Sequence, residues 1–228
     1  MGKRGPQPKV IDTTWTPGLA YVVGIFASDG NLGKDGMYLD VTSKDREILK
    51  TVLRVLDMNH IKIGEKYSGD GNRAYRVQFK RVLFHKWLMS IGLTPNKSKT
   101  LGPVDIPNKY FFDFVRGVWD GDGTIYSFWD PRWRSSYMYY IAFASASPVF
   151  LEWMRKRINK LSKVGIGGKI SQGSSVLQLR YAKKEAFILF KYMFKCKNTP
   201  YLKRKFTKAQ KIFTIDEQNA KKWHYNKI

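Results

Sequence analysis

An aspartate at the end of a predicted helix is the first residue in this chain whose type and place suggest chemistry. The stretch Phe111–Tyr126 (FFDFVRGVWDGDGTIY) predicts a helix that stops at an acid–glycine pair, with Asp122 in its last turn and Gly123 as the C′ glycine. A carboxylate there faces the negative end of the helix dipole. A residue placed against the local electrostatics indicates function rather than structure.

A second copy of this pattern lies upstream, in Pro17–Asn31 (PGLAYVVGIFASDGN), where Asp29 is the terminal acid and Gly30 follows it. Thr16 is a suitable N-cap, and proline suits the first helical position. Small residues recur every four positions in both stretches, and residues four apart share a helix face. We therefore expect the two helices to pack on these faces, which carry Ala20, Gly24 and Ser28 in one copy and Gly117 and Gly121 in the other.

The segments GIFASDG and GVWDGDG resemble the two motif copies of the LAGLIDADG homing endonucleases. The resemblance implies two pseudo-symmetric halves, a DNA-binding saddle of curved antiparallel sheets, and divalent metal held by Asp29 and Asp122. It also implies metal-binding carbonyls at Ser28 and Gly121. Mg²⁺ is the implied cofactor, with Mn²⁺ as a substitute and Ca²⁺ supporting binding without cleavage. The first motif departs from the family pattern at two places: Val22-Val23 replace the usual Leu-Ala, and Ala27 stands where the second copy has Asp120.

Basic residues near the reacting phosphate are implied by the same resemblance. Lys44 follows Ser43 at a predicted strand-to-helix corner, where the family often carries a polar or basic residue, and the other half has Ala146 there. Lys80 ends a predicted strand, and its counterpart is either Arg180 or Lys183. In a chain with 41 lysines and arginines, each of these residues also fits a simple phosphate contact or a solvated position.

Each half predicts the same order of helices and strands. After the first motif helix, Met37–Thr42 alternates as a half-buried strand, Ser43 caps a helix, and 60–68 and 73–80 form a hairpin before the helix Val82–Ile91. The chain therefore predicts an α+β fold with two αββαββα-like halves. We expect a basic tail at 1–14, an N-terminal half at 15–93, a linker at 94–106 and a C-terminal half at 107–228.

The correspondence between the halves can be drawn from the sequence. Tyr140 corresponds to Tyr38, and Gln178 corresponds to Gln78. Ser145 corresponds to Ser43, although Ser147, two residues later, is also a good start for the helix. The segment 166–171 is matched to 63–68, and Thr199-Pro200 to Thr94-Pro95, each of the latter followed by a basic cluster. The extra residues of the second half, Ser127–Ser136 (SFWDPRWRSS), indicate a longer loop after its aspartate.

Base recognition is predicted on the polar strand faces, because an antiparallel ribbon can present alternate side chains to the major groove. Any of these side chains could instead contact only phosphate. The candidates in the first half are Tyr38, Asp40, Lys66, Arg76 and Gln78. Those in the second half are Arg132, Arg134, Tyr140, Lys169, Ser171, Gln178 and Arg180.

The charge balance points to a polyanionic partner. The chain of 228 residues has 41 basic and 18 acidic residues, a net charge of +23. The longest apolar run, Leu19–Ala27, is too short to span a bilayer, which favours nucleic acid over a membrane. One cysteine, Cys196, suits a reducing intracellular compartment, with bacterial cytoplasm, organelle matrix and nucleus left open. With three histidines, no zinc site of usual spacing is expected.

Two hypotheses follow for the function. The first is a monomeric, site-specific endonuclease (an intron-homing enzyme) that hydrolyses double-stranded DNA with a divalent metal on a long asymmetric site. The second is a non-cleaving nucleic-acid-binding protein of the same fold, either a maturase bound to intron RNA or a regulator. The presence of both aspartates favours the enzyme.

Overall fold

The computed structural model describes residues 10–67, 71–133, 135–173, 175–196 and 198–225, with side chains up to residue 222. It is an α+β fold of two halves, each with the element order α-β-β-α-β-β-α, as the sequence predicts. Residues 1–9 of the predicted basic tail and the candidate Arg134 lie outside the described residues. No helix in the described part of the chain is long and apolar enough to cross a bilayer.

The elements of the N-terminal half are α1 (Pro17–Ser28), β1 (Gly30–Leu32), β2 (Tyr38–Ser43), α2 (Arg46–Val55), β3 (Gly64–Tyr67), β4 (Arg73–Lys80) and α3 (Val82–Ser90). Those of the C-terminal half are α4 (Phe111–Asp122), β5 (Gly123–Trp129), β6 (Tyr137–Ser145), α5 (Pro148–Leu161), β7 (Lys169–Gln172), β8 (Leu177–Ala182) and α6 (Lys183–Met193). A long helix that the sequence analysis did not predict, α7 (Lys203–Tyr225), follows the second half.

Each half contains one antiparallel four-stranded sheet, with the orders β1-β2-β4-β3 and β5-β6-β8-β7. Alternation along the strands buries one face of each sheet against the helices. In the first sheet the buried face carries Leu39, Val41, Val77 and Phe79. The opposite face, called the strand face below, carries the predicted recognition side chains.

Strand pairing relates the two halves by an offset of 102 residues between β2 and β6. Tyr38 pairs with Lys80 and Tyr140 pairs with Ala182, so Ser145 is the equivalent of Ser43. The N-cap residues of α2 and α5, Asp45 and Ser147, show the same offset of 102. Ser43, predicted as the cap of α2, lies two residues before the actual cap.

This offset corrects three expectations from the sequence. Gln178 is equivalent to Arg76 rather than to Gln78, and Arg180 is the residue equivalent to Gln78. The counterpart of Lys80 is Ala182, so it is neither Arg180 nor Lys183. The segments 63–68 and 166–171 are not equivalent either. Lys66 pairs with Ala74, whereas Lys169 pairs with Arg180, which is equivalent to Gln78. Local sequence similarity misled here because strand register depends on long-range pairing.

The extra residues of the second half are only partly a loop. β5 continues to Trp129 and pairs with β6 as far as Tyr137, so the insertion lengthens a hairpin whose equivalent strand β1 has three residues. Asp130 accepts a hydrogen bond from the backbone N–H of Arg132 (3.0 Å) within the turn. The predicted loop is therefore shorter than expected, because 127–129 extend β5 and the turn begins at Asp130.

Candidate active site at the ends of the motif helices

Helices α1 and α4 pack backbone against backbone, as their small faces predict. A Cβ on Gly117 would lie 3.0 Å from the Cα of Gly24 and within contact distance of the Tyr21 carbonyl oxygen. A Cβ on Gly24 would lie 2.8 Å from the backbone nitrogen of Val118. Both helices are almost entirely buried. The close approach brings their C-terminal ends together.

The two predicted aspartates meet at these ends. Asp29 is the C-cap residue of α1 and Asp122 is the last residue of α4. Asp29 Cγ is 3.5 Å from the place a Cβ of Gly121 would take. Burial, followed by the negative charge of Asp122, raises the pKa of Asp29 to about 7, and burial also raises the pKa of Asp122. The packing of the two helices thus brings two carboxylates close enough for the charge of one to shift the pKa of the other.

The glycine after each aspartate is needed for space. The sequence predicts Gly123 as a C′ glycine, a position that usually adopts the left-handed conformation. Its φ is −94°, and it begins β5. A Cβ there would lie 2.7 Å from the Cα of Trp119, and a Cβ on Gly30 would lie 2.6 Å from the Cα of Phe26. The strand that follows each helix therefore begins so close to the last helical turn that its first residue has no room for a side chain.

Two buried lysines complete the site, and the sequence analysis did not select them. Lys97 and Lys205 are each 6% exposed. Lys97 Nζ donates to the Gly30 carbonyl, next to the end of α1. Lys205 Nζ donates to the carbonyls of Trp119 (2.6 Å), Asp120 (2.8 Å) and Gly123 (2.6 Å) at the end of α4.

Burial lowers the pKa of each lysine to about 8, although the nearby aspartates act in the opposite direction. Cations at helix C-termini interact favourably with the dipole, so these lysines offset the unfavourable position of the acids. The basic clusters that follow Thr94-Pro95 and Thr199-Pro200 were the available signal for them. Only the fold shows which lysine of each cluster turns inward.

Asp120 anchors the segment that delivers Lys205. Its Oδ2 accepts hydrogen bonds from the Tyr21 hydroxyl on α1 (2.9 Å) and from the Leu202 backbone N–H (2.7 Å). Burial raises the pKa of Asp120 to about 6. The first motif has Ala27 at this place, so the N-terminal half lacks the equivalent carboxylate.

The donor set suits a hard divalent cation that keeps part of its water. No cluster of three or more His, Cys, Asp or Glu side chains occurs within the described residues, so the side-chain ligands would be Asp29 and Asp122 alone. Mg²⁺ is commonly held by one or two carboxylates, with water and substrate phosphate as the other ligands. Of the predicted carbonyl ligands, Gly121 is approached by Lys205 Nζ at 3.4 Å.

The basic candidates lie at different places relative to the aspartates. Gly123, which follows Asp122, pairs with Phe143 on β6, and Arg180 pairs with the next residue of that strand, Ala142. The Arg180 side chain donates a hydrogen bond to Ser171 Oγ (2.8 Å). Arg180 therefore lies on the strand face close to the end of α4.

Lys183 lies farther along the chain, and its Nζ donates to Asp216 (2.5 Å) and to the Tyr137 carbonyl (2.7 Å). Gly30, which follows Asp29, pairs with Val41 on β2. Lys80 pairs with Tyr38, which lies three residues away from Val41 on the same strand. That separation is about 10 Å along the strand. Lys44 is exposed at the β2–α2 corner. The structure thus does not place Lys80 or Lys183 beside the aspartates.

The strand face of the first sheet is charged. Asp40 accepts hydrogen bonds from Arg76 (3.0 Å) and Asn31 (3.2 Å), and Lys80 Nζ lies 6.0 Å from the centroid of the Tyr38 ring. Gln78 lies opposite Asp40 and is exposed, as is Lys66. The predicted recognition side chains of this half therefore share one face.

The strand face of the second sheet is aromatic by comparison. The Tyr140 ring stacks on Tyr126 (5.3 Å between centroids) and on Phe128 (6.2 Å), and Phe128 is 44% exposed. Gln178 lies opposite Ser171, and Lys169 is exposed opposite Arg180. Arg132, in the hairpin turn, pairs with Asp130 at 2.9 Å. Phe128 falls in the segment predicted as a loop, and Tyr126 ends the motif stretch just before it, so neither was predicted as a strand residue.

Comparison with known proteins shows the fold. No protein-family model and no curated protein sequence matches the chain. Among solved structures, the I-LtrWI LAGLIDADG homing endonuclease bound to target DNA has a TM-score of 0.57 and 11% identity, covering 91% of this chain and 92% of that one. I-DmoI in complex with DNA and Ca has a TM-score of 0.53 and 13% identity, covering 85% and 98%.

Full-length DUF199/WhiA from Thermatoga maritima has a TM-score of 0.57 and 11% identity, covering 87% of this chain. The chain spans 60% of the length of that protein. These likenesses agree with the resemblance of the two motif segments: the chain has the two-halved α+β fold of the LAGLIDADG homing endonucleases.

Proposed function

We propose that this chain is a metal-dependent, site-specific endonuclease that cuts both strands of a long asymmetric DNA site as a monomer. The observation that carries the proposal is the meeting of Asp29 and Asp122 at the ends of two packed helices, each beside a buried lysine. Two halves in one chain supply both acids, so no second subunit is needed. Intron homing is the biological role that the resemblance implies.

The residues of the site would have different roles in the hydrolysis. Asp29 and Asp122 would hold a divalent cation, which when bound neutralises phosphate charge and lowers the pKa of a bound water. Lys97 and Lys205 would keep positive charge at the helix ends, where the developing charge of the phosphate can be stabilised. Arg180 is the best placed of the predicted basic residues to contact the phosphate beside Asp122.

Duplex DNA is the proposed substrate. The net charge of +23 and the basic and polar side chains on the strand faces support it, and both I-LtrWI and I-DmoI were crystallised with DNA. The different side chains of the two faces support an asymmetric target, because a charged half and an aromatic half would not read the same sequence.

A non-cleaving nucleic-acid-binding protein, either a regulator or an RNA maturase, is the second candidate. The likeness to WhiA supports it, because WhiA has a LAGLIDADG domain without being named an endonuclease. Asp29 and Asp122 favour the enzyme over this alternative, since a binding protein does not need two carboxylates facing a phosphate backbone.

Incubation with a randomised duplex library and Mg²⁺, followed by sequencing of the ends, tests the proposal. We expect cut ends clustered at one sequence, absent with chelator and absent with Asp122→Asn. Binding of the same library without any cut ends would favour the second candidate.

A further inference from the structure

A basic groove lies between the two halves on the helix side of the first sheet. It has a volume of about 1320 Å³ and runs between helix α2 and the segment 198–203. Its lining includes five exposed basic side chains against a single acid, Glu47. The basic residues are Arg46, Lys50, Arg54, Lys62 and Lys203.

This groove is separate from the surface proposed to bind duplex DNA. Helix α2 packs on the face of the sheet that carries Val41 and Val77. Arg76 and Gln78 point from the opposite face, because successive side chains alternate along a strand. A ligand in the groove therefore leaves the strand faces open.

The bases along α2 are available to a ligand. Arg46, Lys50 and Arg54 are four residues apart, so they form one row with a rise of about 6 Å per step. None of them forms an ion pair with a carboxylate in the described parts of the chain. Arg46 lies 5.8 Å from the centroid of the Tyr75 ring, which leaves its charge unpaired.

The equivalent helix of the other half shows that the fold does not require this row. With the offset of 102, the same positions of α5 are Pro148, Glu152 and Lys156. Glu152 pairs with Lys156 at 3.6 Å and with Arg155 at 2.8 Å. The row on α5 is therefore close to neutral, whereas the row on α2 carries three unpaired positive charges.

An aromatic ring lies on the opposite wall. Tyr201 is 37% exposed and packs against Phe206, with 4.9 Å between the ring centroids. A basic track beside an exposed aromatic ring is the arrangement that binds single-stranded nucleic acid, with phosphates on the track and a base stacked on the ring.

We propose that this groove is a second nucleic-acid site, which binds a single strand along Arg46, Lys50 and Arg54 with a base stacked on Tyr201. The proposal does not depend on cleavage, because the groove shares no residue with the pair of aspartates. A chain that binds here and never cuts DNA would still fit it.

Fluorescence anisotropy with labelled oligouridine and oligodeoxythymidine of about 20 nucleotides tests the proposal, since such strands are longer than the groove needs. The test variant is Lys50→Gln/Arg54→Gln. The matched control is Lys156→Gln/Lys160→Gln, which removes two exposed charges from the equivalent helix. Thermal melts confirm that both variants fold.

We expect the groove variant to lose about tenfold in single-strand affinity, and its salt slope to become shallower by about 1.4, or 0.7 for each lost contact. The control variant should bind as wild type, and binding of a random-sequence duplex should change equally little in both. Tyr201→Ala should lose roughly tenfold in affinity with the salt slope unchanged. Tighter binding of one oligonucleotide tells whether RNA or DNA is the preferred strand.

Three results would overturn the proposal. The first is an equal loss in the groove and control variants, which would mean that only overall charge matters. The second is full displacement of the single strand by duplex DNA, which would place both on the strand faces. The third is an absence of oligonucleotide binding together with binding of anionic lipid vesicles that the groove variant loses.

Discussion

At the residue scale, the site is a pair of acids held in an unfavourable place by the rest of the fold. Asp29 and Asp122 lie at negative helix ends, Asp29 is half-buried, and the negative charge of Asp122 acts on it. Lys97 and Lys205 donate hydrogen bonds to backbone carbonyls at the same helix ends. A divalent cation is the species that would relieve this arrangement.

Replacing either aspartate with asparagine should separate catalysis from binding. Asp29→Asn and Asp122→Asn keep the shape and remove one charge and one metal ligand. We expect loss of cleavage, retained DNA binding, and a metal-free fold as stable as wild type or more stable. Mg²⁺ should then raise the melting temperature of wild type more than that of the variant. Normal cutting by a variant would refute the catalytic assignment.

The raised pKa of Asp29 predicts how the stability of the metal-free protein depends on pH. The folded pKa is about 7 and the ordinary value is 3.8, so the native state binds the extra proton between these values. Stability should therefore fall as pH rises from about 4 to 7. Lys97 and Lys205 act in a separate window, because their folded pKa of about 8 makes stability rise above that pH.

Melting temperatures in chelator across this pH range measure the effect. Asp29→Asn should make this decline less steep, and the part that remains is expected from Asp120, whose pKa burial raises to about 6. An equally steep decline in the variant would show that another group causes it.

At the scale of elements, the contact between α1 and α4 decides whether the acids meet. Gly117→Ala would place a Cβ against the Tyr21 carbonyl and the Gly24 Cα, so the helices must separate. We expect destabilisation of more than about 2 kcal/mol, despite the better helix propensity of alanine. Chemical denaturation measures it.

Gly102→Ala is the matched control for this prediction. Gly102 has no atom within 4 Å of the Cβ position, so alanine there should leave the free energy of unfolding unchanged or slightly higher. Equal effects of the two substitutions would mean that the helices do not pack as closely as described.

At the scale of the whole molecule, the charge should govern affinity. If each neutralised phosphate contributes about −0.9 to the slope of log K against log salt, a saddle with on the order of ten contacts has a slope near −9. Filter binding of the cognate duplex across salt concentrations measures this slope. A slope shallower than about −3 is incompatible with a large interface.

The two halves should cut their strands at unequal rates. Lys44 is equivalent to Ala146, and Asp120, which anchors the segment carrying Lys205, is replaced by Ala27 in the other motif. These differences place different groups around the two acids. A supercoiled plasmid with the site should pass through open circle before linear form, and direct conversion to linear form would contradict the prediction.

Several features could be predicted from the sequence because they depend on local patterns. The caps and four-residue spacing of small side chains predicted both motif helices and their packing. Period-two alternation predicted β4 within its observed bounds, Arg73–Lys80. The resemblance of two short segments then indicated the fold and both aspartates.

Other features required the tertiary structure, because they depend on contacts between distant residues. Lys97 is 67 residues from Gly30 and Lys205 is 82 residues from Gly123, so no local periodicity marks these two lysines among 41 basic residues. The register between halves was ambiguous in sequence, because similar polar residues recur along β4 and β8, and backbone pairing decided it.

The groove also depends on the tertiary structure. Its walls, α2 and the segment 198–203, come from different halves, and neither wall has a distinctive sequence. The sequence by itself determined the two motif helices and the two acids that stand out. Long-range packing decided which of the many basic residues surround those acids and which line the groove.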